Sequence, residues 1–153
     1  MANYKIIPYL KEHGDEIYAF GMNDKLMEID ASFTDNRLDT AIPGLSYTLL
    51  VDNNIILAGG IIPIWNGVAE GWVMASQGVH NYKIKAASSV KKRLDLLCNN
   101  NKVWRLQTAV KEEFITGVRF AEWLGLKNEG LMTKYGPDKT NYYRMAKIYE
   151  CIR

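Results

Sequence analysis

The stretch Val68–Asn99 reads VAEGWVMASQGVHNYKIKAASSVKKRLDLLCN, and it decides the fold. Its first part is apolar and aromatic over the length of a strand. Gly78 and Asn81 interrupt that pattern, and after Asn81 the hydrophobic spacing becomes that of a helix. Amides at the start of a helix have no partners within it, and the helix dipole adds partial positive charge there. A strand that leads through a turn into a long helix therefore predicts an anion or phosphate site at this turn.

Length and composition limit the class of protein. A chain of 153 residues, 48% hydrophobic and 24% charged, is expected to form a single domain over residues 1–153. The net charge of +2 is too balanced to predict nucleic-acid binding. No apolar run is long enough for a membrane span and no signal peptide is recognisable, so we expect a cytoplasmic protein that does not enter membranes. Cys98 and Cys151 are expected to be reduced thiols, and no Cys/His cluster predicts a metal site.

The hydrophobic spacing along the chain predicts more strands than helices. Asp52-Asn53-Asn54 and Asn66-Gly67 are typical of hairpin turns, which makes three consecutive antiparallel strands. The expected fold is therefore α+β, with a mixed, mostly antiparallel central sheet of about six to seven strands flanked by about four helices. The predicted strands are Tyr4–Leu10, Leu45–Val51, Ile55–Ile64, Val68–Ala75, Val103–Val110, Leu131–Tyr135 and Tyr142–Ile148, and the predicted helices are His13–Met22, Asp24–Phe33, Tyr82–Asn99 and Glu112–Leu124.

This order of elements resembles the GNAT family of acyl-CoA N-acyltransferases over nearly the whole chain. In that family, a central strand and the helix after it correspond to Val68–Ala75 and Tyr82–Asn99. A second landmark of the family is a helix that ends in an aromatic residue followed by leucine and glycine. Val118–Leu126 has residues of these types at the same spacing. Within the family, the chain is similar to a small phage-type branch of podovirus internal virion proteins and acetyltransferase-like proteins. The features shared with that branch are Ala58-Gly59-Gly60, the strand around Trp72, Lys91-Lys92-Arg93 and Val118-Arg119-Phe120.

The resemblance implies acetyl-CoA as co-substrate, lying between the splayed strands Val68–Ala75 and Val103–Val110. An amine of a small molecule or protein would attack the thioester carbonyl directly, while backbone amides of the first strand polarise that carbonyl. The pyrophosphate would bind amides at the start of the following helix, with Lys83 among the nearest cations. The cofactor-binding positions implied in this way are Val73, Met74, Ala75, Gln77, Gly78, Val79, His80 and Lys83.

The resemblance also directs attention to two candidate catalytic residues. Glu70 is the carboxylate of an otherwise apolar strand, near the implied acyl group, and is the candidate general base; its alternative role is that of a solvent-facing residue. Ala121 occupies the place of the tyrosine that usually protonates the leaving thiolate. Tyr135, Tyr142 and Tyr143 are the tyrosines that could replace it, and we take Tyr135 as the candidate.

Departures from the family pattern leave a second hypothesis open. The segment Gln77–Lys83 contains one glycine, where the family's pyrophosphate loop has more, and Val79, His80 and Tyr82 are bulky there. His80 could contact a phosphate or simply cap the helix. The alternative is therefore a non-catalytic protein on the GNAT scaffold, with a degenerate acetyl-CoA site, that binds a host protein or a virion protein.

Overall fold

The computed structural model describes residues 1–20 and 43–150. The predicted helix Asp24–Phe33 lies outside these residues, as does the end of the helix predicted to reach Met22. The described elements are strands β1 (Tyr4–Pro8), β2 (Ser46–Val51), β3 (Asn54–Trp65), β4 (Val68–Ala75), β5 (Arg105–Lys111), β6 (Lys127–Met132) and β7 (Tyr142–Ile148), α-helices α1 (Lys11–Phe20), α2 (Lys83–Asn100) and α3 (Ile115–Trp123), and a 3-10 helix (Gln77–Asn81).

The seven strands form one sheet in the order β1-β2-β3-β4-β5-β7-β6. β4 and β5 pair in parallel, and the other neighbours pair antiparallel. The β4–β5 connection passes through α2, as a parallel pair requires a crossover. This sheet confirms the predicted α+β class and its mostly antiparallel character, and β4 has the predicted boundaries.

The two predicted hairpin turns join β2, β3 and β4. Asp52 and Asn53 have φ angles of +50° and +68°, and Val51 stands opposite Asn54. The turn is thus the tight two-residue type with two left-handed residues, one residue shorter than the sequence suggested. In the second turn, Gly67 has a φ of +82°.

In the last third of the chain, the structure places one predicted strand earlier than expected. The strand predicted at Leu131–Tyr135 is β6, Lys127–Met132, so Tyr135 lies in the loop that follows. The register against β7 shifts between Asn128 and Gly130, where the Asn128 side chain accepts a bond from the Gly130 amide. This irregularity interrupts the alternation of polar and apolar residues that marks a strand, which is why the sequence placed it too late.

A hydrophobic core lies on each face of the sheet. The larger core lies under α2 and α3, where α2 buries Ala86, Val90, Leu94, Leu97 and Cys98. The smaller core lies under α1, and its buried members are Tyr9, Ile17, Ala58, Trp72 and Met74. Within the described ranges, no helix is long and apolar enough to cross a membrane.

Candidate functional site

β4 and β5 separate after a short paired segment. Their parallel pairing covers Val68–Glu70 against Arg105–Gln107, and beyond Gln107 the two strands diverge. On its other side, β4 remains paired with β3 as far as Ala75, and the Ser76 amide donates to the Ile56 carbonyl at 2.9 Å. The gap between the strands is the opening that the resemblance implied.

The backbone of β4 presents hydrogen-bond donors to this gap. In an antiparallel pair, alternate residues direct their N–H groups to the neighbouring strand. The Ser76 amide donates to β3, so the amides of Met74 and Trp72, two and four residues earlier, are directed to β3 as well. The amides of Val73 and Ala75 therefore face the gap, beyond the last pair with β5. Two of the predicted cofactor positions thus offer donors there, whereas Met74 turns its amide to β3 and buries its side chain under α1.

A cleft occupies the gap and continues between the sheet and α3. Its cavity volume is about 170 Å³. Its walls are mainly apolar, and Thr108, Lys111 and Tyr142 contribute polar side chains. Among residues 1–20 and 43–150, no carboxylate lines it. The lining residues are Gly71, Trp72, Val73, Leu94, Leu106, Thr108, Ala109, Val110, Lys111, Phe114, Gly117, Phe120, Ala121, Leu124, Leu126 and Tyr142.

The turn after β4 differs from the expected anion site. Gln77–Asn81 wind into a 3-10 helix, in which the Val79 amide donates to the Ser76 carbonyl at 3.1 Å. The Tyr82 amide in turn donates to the Val79 carbonyl at 3.0 Å. The amides of Val79 and Tyr82 are therefore bonded within the turn by i to i+3 bonds and are not open to an anion in this structure.

Other donors remain at the start of α2. The first bond of this helix runs from the Ala86 amide to the Tyr82 carbonyl at 2.8 Å, so the amides of residues 83–85 have no partner within the helix. The side chains of Gln77, His80 and Lys83 are exposed, and Gly78 is half-buried against Ile56. Any anion at this end of the molecule would meet the first turn of α2 and these side chains.

Glu70 and Tyr135 both lie beside Arg144. The side chain of Glu70 is 21% exposed, and its Oε1 lies 3.9 Å from Nη1 of Arg144. The Arg144 guanidinium carbon lies 5.8 Å from the centre of the Tyr135 ring. Tyr135 also contacts Tyr142, with ring centres 5.3 Å apart. The structure thus brings the two predicted catalytic residues to one arginine, which the sequence did not single out.

An ion pair between a buried lysine and a more exposed aspartate, at the end of β5, was also missed. The side chain of Lys111 is only 6% exposed, and its Nζ lies 3.2 Å from Oδ2 of Asp138. The pKa of Asp138 is lowered, first because the Thr140 hydroxyl donates to it and further because the Thr140 amide and Lys111 do. The sequence signal that could have indicated this pair is the lysine at the end of β5 together with the Gly136-Pro137-Asp138 turn.

Cys98 lies in a polar contact between α2 and the end of β7. Tyr149 donates its hydroxyl to Oδ1 of Asp95 at 2.7 Å, and Lys147 binds the same oxygen at 3.1 Å. Burial raises the pKa of the fully buried Cys98 thiol to about 11. Cys98 belongs to the core under α2 and does not line the cleft.

Comparisons with known proteins agree on the fold. No protein-family model matches the chain, and no curated protein sequence does either. Among solved structures, Ard1 from Thermoplasma volcanium is similar at a TM-score of 0.78 and 15% identity, over 95% of this chain and 97% of that one. A GNAT-family acetyltransferase from Bacillus anthracis is similar at a TM-score of 0.71 and 14% identity, over 97% and 96%.

A further similar structure is yncA from Salmonella typhimurium, solved with its cofactor acetyl-CoA, at a TM-score of 0.71 and 13% identity over 98% of both chains. The podovirus resemblance gains no support from these structures. At such low sequence identities, structural similarity shows a shared fold, and the function has to be argued from the residues of the site. The chain therefore has the fold of the GNAT acetyltransferases.

Proposed function

We propose that this chain is an acetyl-CoA-dependent N-acetyltransferase that acts on an amine of a small molecule or a protein. The observation that carries the proposal is the gap between β4 and β5, where the amides of Val73 and Ala75 face an apolar-walled cleft of about 170 Å³. Structures of similar fold include a spermidine N-acetyltransferase from Vibrio cholerae and a ribosomal-protein-S5-alanine acetyltransferase from Vibrio fischeri. Both acceptor classes are therefore retained.

The cleft suits the pantetheine arm of acetyl-CoA. That arm is a thin chain with two amide groups, and strand amides that face a gap can bond such a chain as they would a neighbouring strand. When bound, acetyl-CoA supplies the acetyl group as a thioester. Val73 and Ala75 hold the arm and polarise the acyl oxygen, and the apolar walls exclude water from the reacting groups.

Side chains on the other side of the sheet handle the protons in this proposal. Glu70 accepts the proton of the acceptor amine, and Arg144 orients its carboxylate from 3.9 Å. Tyr135 is the candidate donor to the leaving thiolate. Because the 3-10 turn is closed, the pyrophosphate would depend on Lys83 and the first-turn amides of α2, with Gln77, Gly78, Val79 and His80 contributing surface.

Calorimetric titration with acetyl-CoA tests this proposal when it is paired with a substitution that fills the cleft. The Thr108 side chain lines the cleft, so Thr108→Trp should abolish binding, whereas Ser88→Trp on the exposed side of α2 should leave it unchanged. Thiol release from acetyl-CoA, followed with a panel of polyamines and N-terminal peptides, then identifies the acceptor. Binding that survives Thr108→Trp would show that the cleft is not the site.

One observation favours a second function. The Val79 and Tyr82 amides are bonded within the turn, as expected for a degenerate pyrophosphate site. A non-catalytic GNAT-fold protein that binds a partner, such as a host or virion protein, is therefore the alternative. It predicts no heat of binding and no rise of the melting temperature at millimolar acetyl-CoA, whereas the transferase predicts a rise through mass action.

A further inference from the structure

A positively charged groove runs between α2 and the first two strands, away from the cleft. Its cavity volume is about 290 Å³. Ile6 of β1 and Leu49 of β2 form an apolar floor, and α2 supplies the charges. The lining residues are Tyr4, Ile6, Leu49, Lys85, Ser89, Lys92 and Arg93.

In the part of the chain that the structure describes, two cations of this groove contact aromatic rings. Nζ of Lys85 lies 5.1 Å from the centre of the Tyr4 ring, and the guanidinium carbon of Arg93 lies 4.7 Å from that of Tyr47. By contrast, Arg105, Lys111 and Lys147 each pair with a carboxylate. Within residues 1–20 and 43–150, no carboxylate lies within ion-pair distance of Lys85, Lys92 or Arg93, so no described residue neutralises the positive charge of the groove.

Arg93 adds an unmet hydrogen bond to this charge. Its Nε is buried and has no hydrogen-bond partner in the part of the chain that the structure describes. Buried donors without an acceptor are rare in folded proteins, and guanidinium groups bind carboxylates with particular strength. The Tyr47 ring covers one face of the guanidinium, and the group keeps its positive charge beside the groove.

The spacing of the cations indicates what could fill the groove. With a helical rise of 1.5 Å per residue, Lys85 and Lys92 are about 10 Å apart along α2. Acidic side chains at positions i and i+4 of an extended peptide lie on one face about 13 Å apart, and flexible lysine side chains cover the difference. The side chain at i+2 would then meet the apolar floor of Ile6 and Leu49.

We propose that this groove binds an extended acidic segment of a partner protein, with two acidic residues four positions apart and an apolar residue midway between them. A single small anion would engage only one end of the groove. Nucleic acid fits less well, because aliphatic Ile6 and Leu49 form the floor and the whole chain carries a net charge of only +2. The proposal does not depend on acetyl transfer.

Fluorescence anisotropy tests this with the full chain and a labelled peptide Gly-Glu-Ser-Leu-Ser-Glu-Gly. Lys85→Gln and Lys92→Gln should each weaken binding about threefold, as expected for solvent-exposed ion pairs. Lys91→Gln is the matched control, because Lys91 lies on the same helix but faces the Trp123 ring at 5.2 Å. A peptide with Gln in place of both Glu residues should bind far more weakly, and added salt should reduce binding of the acidic peptide.

Three results would overturn the proposal. The first is no saturable binding of the acidic peptide at millimolar concentration. The second is equal binding of the Gln peptide, or an equal effect of Lys91→Gln. The third is displacement of the peptide by a single-stranded oligonucleotide that binds more tightly and loses affinity in the same Lys85→Gln and Lys92→Gln variants, which would make the groove a nucleic-acid site.

Discussion

Nη1 of Arg144 on β7 lies 3.9 Å from Oε1 of Glu70 on β4, although β5 runs between the two strands. Arg144 stands opposite Ala109 in the β5–β7 register, and the small side chain of Ala109 leaves room for the two long side chains to meet over β5. The same guanidinium lies over the ring of Tyr135. One arginine thus contacts both catalytic candidates.

Glu70→Gln should separate catalysis from binding. If Glu70 removes the amine proton, the substitution lowers kcat about a hundredfold or more. The affinity for acetyl-CoA should stay unchanged, because the amides of Val73 and Ala75 are intact. Glu129→Gln serves as the control, since Glu129 pairs with Arg105 at the exposed surface. Equal kcat values for wild type and Glu70→Gln would remove Glu70 from the mechanism.

The Lys111–Asp138 pair should make stability depend on acidic pH. The pKa of Asp138 is lowered in the folded state, so its ionised form stabilises the fold above the unfolded value of about pH 4. That contribution is lost as the pH falls through the lowered folded value. Asp138→Asn should therefore lower the melting temperature at pH 7, and the difference from wild type should shrink near pH 2.5. A difference that is the same at both pH values would contradict this role.

Cys98 should make stability depend on alkaline pH. Its folded pKa of about 11 lies above the ordinary value of 9.0, so the folded state is favoured by the neutral thiol below pH 9. This contribution is lost as the pH rises from there towards the folded value. The pKa of half-buried Tyr149 is also raised, so its contribution has the same sign.

The measurement for Cys98 is thiol labelling at pH 8 in a Cys151→Ser background. The folded protein should react with an alkylating reagent orders of magnitude more slowly than the same protein in denaturant. Rapid labelling without denaturant would show that the thiol is accessible and ionised, against its burial between α2 and β7.

Gly67→Ala should destabilise the fold more than Gly44→Ala does. Both glycines have left-handed φ angles, +82° and +84°, so both substitutions carry the same backbone strain. A Cβ at Gly67 would lie 2.1 Å from the Trp104 ring, whereas one at Gly44 would meet nothing within 4 Å. We expect a loss of about 1 kcal/mol at Gly44 and about 2–4 kcal/mol at Gly67. Urea denaturation measures both, and equal losses would show that Trp104 moves aside freely.

Hydrophobic spacing and turn residues were sufficient to predict most of the sheet. The spacing of β4 and the Asn66-Gly67 turn gave strand boundaries that the structure reproduces, because side-chain alternation and left-handed turn residues are local properties. β6 was placed too late because the irregularity at Asn128–Gly130 breaks that alternation.

The site was less accessible to sequence reasoning. The resemblance located the gap between β4 and β5, but the bonding within Gln77–Tyr82 depends on how the turn packs against β3, which no local pattern encodes. Arg144 and Lys111 were missed for a similar reason. Their partners, Glu70 and Asp138, lie far away in the chain and come close only through strand order.

The seam between β4 and β5 has a mechanical consequence. Among the described residues, the strand pairing between the four-stranded half of the sheet and the three-stranded half is limited to Val68–Glu70 and Arg105–Gln107. The core under α2 packs against both halves. A small rotation about this hinge line would change the width of the cleft while every antiparallel ladder stays intact. The same short junction that creates the opening thus lets the protein adjust the opening to its contents without unfolding either half.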